Sequence, residues 1–159
     1  MAKLFKDKKI GLYIAIVALV LGVVAGMLYL FMPIVHWEAT IIITITEDYS
    51  LLRLFQETEE LSFVSLIITM VLVFVNSLIG FYFTTNKKLS NYVLLSALVS
   101  IVIAILMFSS GALLVAENSD LNSNLIQISA GSGAIISGIL AIIQAILFIF
   151  SAPVIQKKL

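Results

Sequence analysis

Residues 61–116 read LSFVSLIITMVLVFVNSLIGFYFTTNKKLSNYVLLSALVSIVIAILMFSSGALLVA. Two apolar runs, 61–84 and 91–116, flank a six-residue polar turn whose only charges are Lys87 and Lys88. Neither run contains Asp, Glu, Lys or Arg. Each exceeds the roughly 20 residues that an α-helix needs to cross about 30 Å of hydrocarbon. So short a turn makes the two helices antiparallel neighbours.

The same reading extends outward in both directions. Residues 10–32 and 125–152 are equally free of charge, so four spans are expected. Hydrophobic residues make up 62% of the chain and charged residues 11%, against about half and a quarter in soluble domains. A soluble fold of this size has no interior for so much apolar surface. The expected fold class is an all-α membrane protein, an antiparallel four-helix transmembrane bundle. It forms a single domain over residues 1–159, with an outer loop 33–60, an inner turn 85–90 and an outer loop 117–124.

Charge sets the orientation. Segments 1–9, 85–90 and 153–159 hold eight lysines against Asp7; segments 33–60 and 117–124 hold eight carboxylates against Arg53. Lys and Arg near span ends stay cytoplasmic, which puts both termini inside and two acidic loops outside. The first apolar run, about 23 residues, exceeds the 7–15 of a signal-peptide core, so an uncleaved first span is expected. With no cysteine, neither disulfides nor Cys lipidation enter. The absence of an N-x-Ser/Thr sequon adds to a prokaryotic plasma-membrane reading.

Loop 33–60 is the one sizeable segment outside the spans. Pro33 stops the first helix, and His36 and Trp37 fall at the interface, where Trp is favoured. The β-branched run 39–46 predicts a strand and 47–50 a turn. Residues 51–56 read as a return strand or as a short amphipathic helix with Leu51, Leu52 and Phe55 toward the membrane. Thr58 is the expected N-cap of the second span, followed by Glu59 and Glu60. The fourth span is expected from about Leu125 to Pro153.

Small residues let helix backbones approach in lipid. Ala18, Gly22 and Gly26 recur every four residues, as do Ser96, Ser100 and Ala104. Ala134, Gly138, Ala141 and Ala145 are spaced 4, 3, 4. These stripes either face one another in a left-handed bundle, or one of them faces outward to dock another protein. Asn76 and Gln144 are the strongly polar side chains deep in the spans, candidates for a mutual hydrogen bond, a partner contact or a permeation role.

Enzyme chemistry is not expected. The chain has one histidine, no cysteine, no carboxylate inside a span and no Gly-rich phosphate loop, so neither a cofactor nor a nucleic-acid partner is expected. His36 beside Glu38 lacks the further ligands of a metal site. A proton-coupled transporter would want an acid within a span.

Two classes remain. One is a non-catalytic accessory subunit, embedded in lipid, that binds another integral membrane protein through its first outer loop and a small-residue helix face. The loop candidates are His36, Trp37, Ile41, Ile43, Ile45, Leu51 and Phe55. The alternative is a homo-oligomeric pore, channel or holin-like, lined by span four through Gln127, Ser129, Ser132 and Ser137.

Four spans, cytoplasmic ends, a longer first outer loop opening with β structure and Trp37 soon after span one together resemble the claudin-type tetraspans. The resemblance implies a left-handed bundle whose outer sheet contacts neighbours or partner channels. It covers the topology of the whole chain and no specific motif. The family's Trp–Gly-Leu-Trp–Cys–Cys pattern is missing, and no functional residue is carried over.

Overall fold

The computed structural model describes residues 8–40, 43–57, 61–86, 88–121 and 125–156. Besides two 3-10 turns at Ser90–Tyr92 and Ser119–Leu121, the described residues form, in order, α1 (Lys8–Phe31), β1 (Pro33–Thr40), β2 (Thr44–Ser50), α2 (Leu51–Glu57), α3 (Val64–Thr85), α4 (Val93–Phe108), α5 (Ser110–Glu117), β3 (Ile126–Ala130) and α6 (Ser132–Gln156). Four stretches, Ile10–Phe31, Val64–Thr85, Ser90–Phe108 and Ser132–Ser151, are helices long and apolar enough to cross a membrane. Their 19 to 22 residues correspond to about 28–33 Å at 1.5 Å per residue.

The long helices pack side by side, α1 against α3 and α6, and α4 against α3 and α6. Their outward faces are apolar: Leu12, Val20, Met27, Ile68, Leu78, Leu98, Ile105, Ile139 and Phe150 are all exposed. Soluble monomers rarely expose so extended an apolar surface; one of this kind marks contact with a membrane or with another protein. The inward faces combine small and polar residues, with Ala18, Ala25, Ala97, Ala104, Ala134, Ala141 and Ala145 buried beside Ser77, Ser96, Ser100 and Ser137, and larger apolar ones such as Leu66, Ile103, Met107 and Phe148.

One end of the helices carries a three-stranded antiparallel sheet in the order β2-β1-β3. β1 pairs with β2 from Pro33↔Ser50 to Thr40↔Thr44, and with β3 from Val35↔Ala130 to Ala39↔Ile126. Residues opposite one another share a face. Val35, Trp37, Tyr49, Ile128 and Ala130 therefore lie on one side, where they join the core formed with Tyr29, Leu51, Leu54, Leu66, Met107 and Leu114. His36, Glu38, Thr46, Asp48, Gln127 and Ser129 lie on the other side.

Several expectations are corrected. The strand expected at 39–46 is instead parts of two strands, β1 ending at Thr40 and β2 starting at Thr44, and 47–50, expected as a turn, belongs to β2. Pairing with Pro33–Thr40 lines up the two alternations, so that Trp37 meets Glu47 and His36 meets Asp48. Residues 51–57 form a helix, but Leu51 and Leu54 are buried while Leu52 and Phe55 are exposed. The sequence Leu-Leu-x-Leu-Phe fills two neighbouring helix faces, and the core takes the one nearer α1. Thr58, Glu59 and Glu60 lie outside the described residues, and α3 begins only at Val64.

The third span is not one helix. A 3-10 turn at Ser90–Tyr92 leads into α4, and the helix breaks at Ser109 before α5. Ser110 Oγ donates to the Ile34 carbonyl oxygen at 2.7 Å, and a Cβ at Gly111 would sit 2.6 Å from the Ser129 main chain. The break thus lets α5 fit beneath β1 and β3.

The fourth span starts at Ser132, not Leu125. Ile126, Ile128 and Ala130 alternate with Gln127 and Ser129, a period of two that suits a strand on the free side of β1. α6 also continues through Pro153 to Gln156. Proline removes one donor from a ladder that has only one turn left to run.

Candidate functional site

Two polar arrangements stand out, one buried among the helices and one at the sheet end. The buried one centres on Gln144. Its Nε2 donates to the Ala18 carbonyl oxygen at 3.1 Å and to Ser77 Oγ at 2.8 Å. Ser77 Oγ in turn donates to the Val73 carbonyl oxygen. Asn76 Nδ2 donates to Ser100 Oγ at 2.8 Å and to the Ser96 carbonyl oxygen at 3.1 Å. The single Ser100 hydroxyl proton has two acceptors, Ser96 O at 3.0 Å and Gln144 Oε1 at 3.4 Å. One network therefore touches α1, α3, α4 and α6. Asn76 and Gln144, candidates for a mutual hydrogen bond, do not bond directly; Ser100 stands between them.

Glycine makes room for this. A Cβ at Gly22 would overlap Ser77 Oγ and Gln144 Nε2. Gly26 and Gly138 lie against the rings of Phe74 and Phe108, at 2.6 and 2.7 Å from the position a Cβ would take. Ala18, Gly22, Gly26, Ser96, Ser100, Ala104, Ala134, Gly138, Ala141 and Ala145 are all buried. The small-residue stripes are thus buried inside this chain, their glycines against Ser77, Gln144, Phe74 and Phe108. Ser137, once a candidate lining residue, is buried and donates to the Ala25 carbonyl oxygen at 2.9 Å. Gln127 and Ser129 belong to β3 and cannot line a helix.

At the sheet end, Arg53 gathers the loop. It donates to Glu57 at 2.7 Å and to the Asp48 carbonyl oxygen at 2.9 Å, lies 3.7 Å from Glu47, and stacks 4.6 Å from the Tyr49 ring centre. The Tyr49 hydroxyl donates to the Glu47 carboxylate. That bond is the main cause raising the Tyr49 pKa above its ordinary value, with burial adding to it. His36 Nδ1 and Asp48 Oδ1 are 2.7 Å apart. Trp37 packs on Tyr49, with ring centres 6.2 Å apart, and Phe55 meets Phe63 edge-on at 4.9 Å. Ile43 and Ile45 are exposed, Leu51 is buried, and Ile41 lies outside the described residues.

A third feature escapes sequence inspection. The start of α3 is capped by α5. Ser65 N–H donates to Glu117 Oε1 at 2.7 Å, Ser62 N–H to Asn118 Oδ1 at 2.8 Å, and Asn118 Nδ2 to the Ser62 carbonyl oxygen at 2.6 Å. The carboxylate sits where the helix dipole favours it, but more than fifty residues away in sequence. No local pattern announces such a cap.

Among the described residues, no group of three His, Cys, Asp or Glu side chains is placed to hold a metal ion. The buried network consists of neutral amides, hydroxyls and carbonyls, which orient and hold but supply neither a nucleophile activated by a base nor an acid. Comparison with protein-family models, with curated proteins and with solved structures gives no match. The tetraspan outline rests on the four long apolar helices alone.

Proposed function

We propose that this chain is a non-catalytic accessory subunit of the plasma membrane that binds another integral membrane protein through its sheet and α2. In this reading α1, α3, α4 and α6 form an antiparallel transmembrane bundle, with both termini and the Lys87–Lys88 turn in the cytoplasm. The sheet then faces outward. One observation carries the proposal. The small-residue faces of the helices and the network of Asn76, Ser77, Ser100 and Gln144 are buried within the chain, whereas, among the described residues, the sheet end keeps an unpaired strand edge and the sequence places a cluster of carboxylates there. The small-residue faces are turned inward in the monomer, so recognition falls to the sheet end.

Purification in native nanodiscs at native expression, with mass spectrometry of whatever co-migrates, tests the reading. A larger membrane protein at fixed stoichiometry is the expected result. A homo-oligomer without companion that conducts ions after reconstitution would replace it with the pore reading. Orientation is tested separately. The chain has no cysteine, so Thr46→Cys and Asn86→Cys each introduce a single thiol. An impermeant maleimide added to intact cells should label the first and spare the second.

A further inference from the structure

The outer edge of β2 has an unusual combination of properties. The main-chain groups of β1 divide between its two neighbours: Thr40 N–H reaches the Leu125 carbonyl oxygen, and Gly131 N–H reaches the Ile34 carbonyl oxygen. Even-numbered residues of β1 thus bond toward β3 and odd-numbered ones toward β2. By the register Ala39↔Ile45 and Trp37↔Glu47, Ile45 and Glu47 bond inward, and Thr44, Thr46 and Asp48 turn their main-chain groups to the open side. Arg53 fits this alternation, because it reaches the Asp48 carbonyl oxygen from that side. Among the described residues, no strand lies beyond β2.

Natural edge strands are guarded by lysine, proline, a bulge or a covering element. Arg53 covers the edge at Asp48 only. From Thr44 to Thr46 there is no lysine or proline, and the register shift lies at the far end of β1, between Pro33 and Val35. Ile43 and Ile45 are 75% and 60% exposed. β-branched, uncharged and, among the described residues, uncovered, this edge is built for strand pairing.

We infer that Thr44–Thr46 is a strand-addition site for an extended, lysine- or arginine-flanked segment of the partner protein. The inference rests on the accessory-subunit reading and deepens it. Main-chain bonds to Thr44 and Thr46 give affinity, and the alternating side chains give register. Charge selects the occupant. Glu38, Glu47 and Asp48 lie next to the edge, and the segments 33–60 and 117–124 hold eight carboxylates against one arginine. A second copy of this chain would bring the same carboxylates against them; a basic segment is attracted instead.

The test uses the full chain in nanodiscs and a synthetic peptide, Lys-Lys-Thr-Val-Thr-Val-Thr-Lys-Lys, beside a version with Glu for Lys. The basic peptide should bind with an affinity that falls as salt rises, and should slow hydrogen exchange at the Thr44 and Thr46 amides. Thr46→Pro removes the outward N–H while leaving the β1 ladder intact, as edge strands permit. It should weaken binding about tenfold or more, and Thr44→Pro should do the same; unchanged exchange at Trp37 would show that the sheet is preserved. No binding, equal binding of the acidic peptide, or binding unmoved by both variants would overturn the inference. So would an Ile45→Cys disulfide dimer whose Thr44 and Thr46 amides are protected without peptide, since a second copy would then own the edge. Co-purification separates the two levels. A partner retained undiminished by Thr46→Pro sinks the strand-addition site and spares the accessory reading, whereas a wild-type chain with no partner sinks that reading.

Discussion

Gln144 Nε2 donates to the Ala18 carbonyl oxygen at 3.1 Å, tying the last long helix to the first across 126 residues. The bond depends on Gly22, one turn further along α1, because any side chain there would occupy the space of the Gln144 amide. A polar residue in the middle of an apolar helix is thereby matched to a missing side chain on another.

Gly22→Leu should therefore destabilise the fold by about 1–3 kcal/mol from overpacking, with further loss if the amide is displaced. Gly22→Ala should show much of the same effect, since the first added carbon already overlaps Ser77 and Gln144. Reversible unfolding in mixed micelles measures this. Stability equal to wild type in both variants would refute the close approach of α1, α3 and α6.

The network also predicts which pairs couple. Gln144 bonds Ser77 directly at 2.8 Å, so a double-mutant cycle with Gln144→Leu and Ser77→Ala should give about 0.6–1.7 kcal/mol of coupling. Asn76 and Gln144 meet only through Ser100. Their coupling should be smaller and should vanish in a Ser100→Ala background. Coupling that survives Ser100→Ala would mean that the two amides touch.

Asn118→Ala removes the side chain that bonds Ser62 on both its N–H and its carbonyl. A lost cap costs about 1 kcal/mol, and fraying should appear as faster hydrogen exchange at Ser62 and at the start of α3, not within α6. Uniform acceleration in all four long helices would argue for global loosening instead.

Alkaline pH should weaken the loop. Tyr49 is held neutral by donating to Glu47, so its pKa in the folded chain is raised above the ordinary value of about 10. A group with a raised folded pKa contributes stability that is fully present below its unfolded pKa and is lost as pH rises through the folded one. Phenolate absorbance, taken as wild type minus Tyr49→Phe, should therefore show a titration displaced to alkaline pH. Glu47→Gln should bring it back toward the ordinary value. A Tyr49 titration unmoved by Glu47→Gln would remove the hydrogen bond as its cause.

Much of this architecture is written in composition. Four charge-free runs of spanning length, and carboxylates segregated from lysines, need no partner to be recognised, because the apolar demand of a helix is a property of its own residues. The period-two run 126–130 was readable in the same way, yet it lay against the beginning of an apolar stretch, and length outweighed period. The division between β1 and β2 was hidden for a different reason. Thr and Ile fill 40–46 with no Gly, Asn or Pro to mark a turn, so only pairing with 33–40 places it.

By itself, then, the sequence determined the number of apolar helices, the polarity of the two ends and the residues small enough to form seams. Tertiary structure alone decided that all three seams are buried within the chain, that Ser100 separates Asn76 from Gln144, that α5 caps α3, and that 126–130 completes a sheet. The division has a physical basis. Hydrophobicity and charge act on each segment through its solvent, whereas hydrogen bonds act over about 3 Å and exist only once distant residues have been brought to that distance.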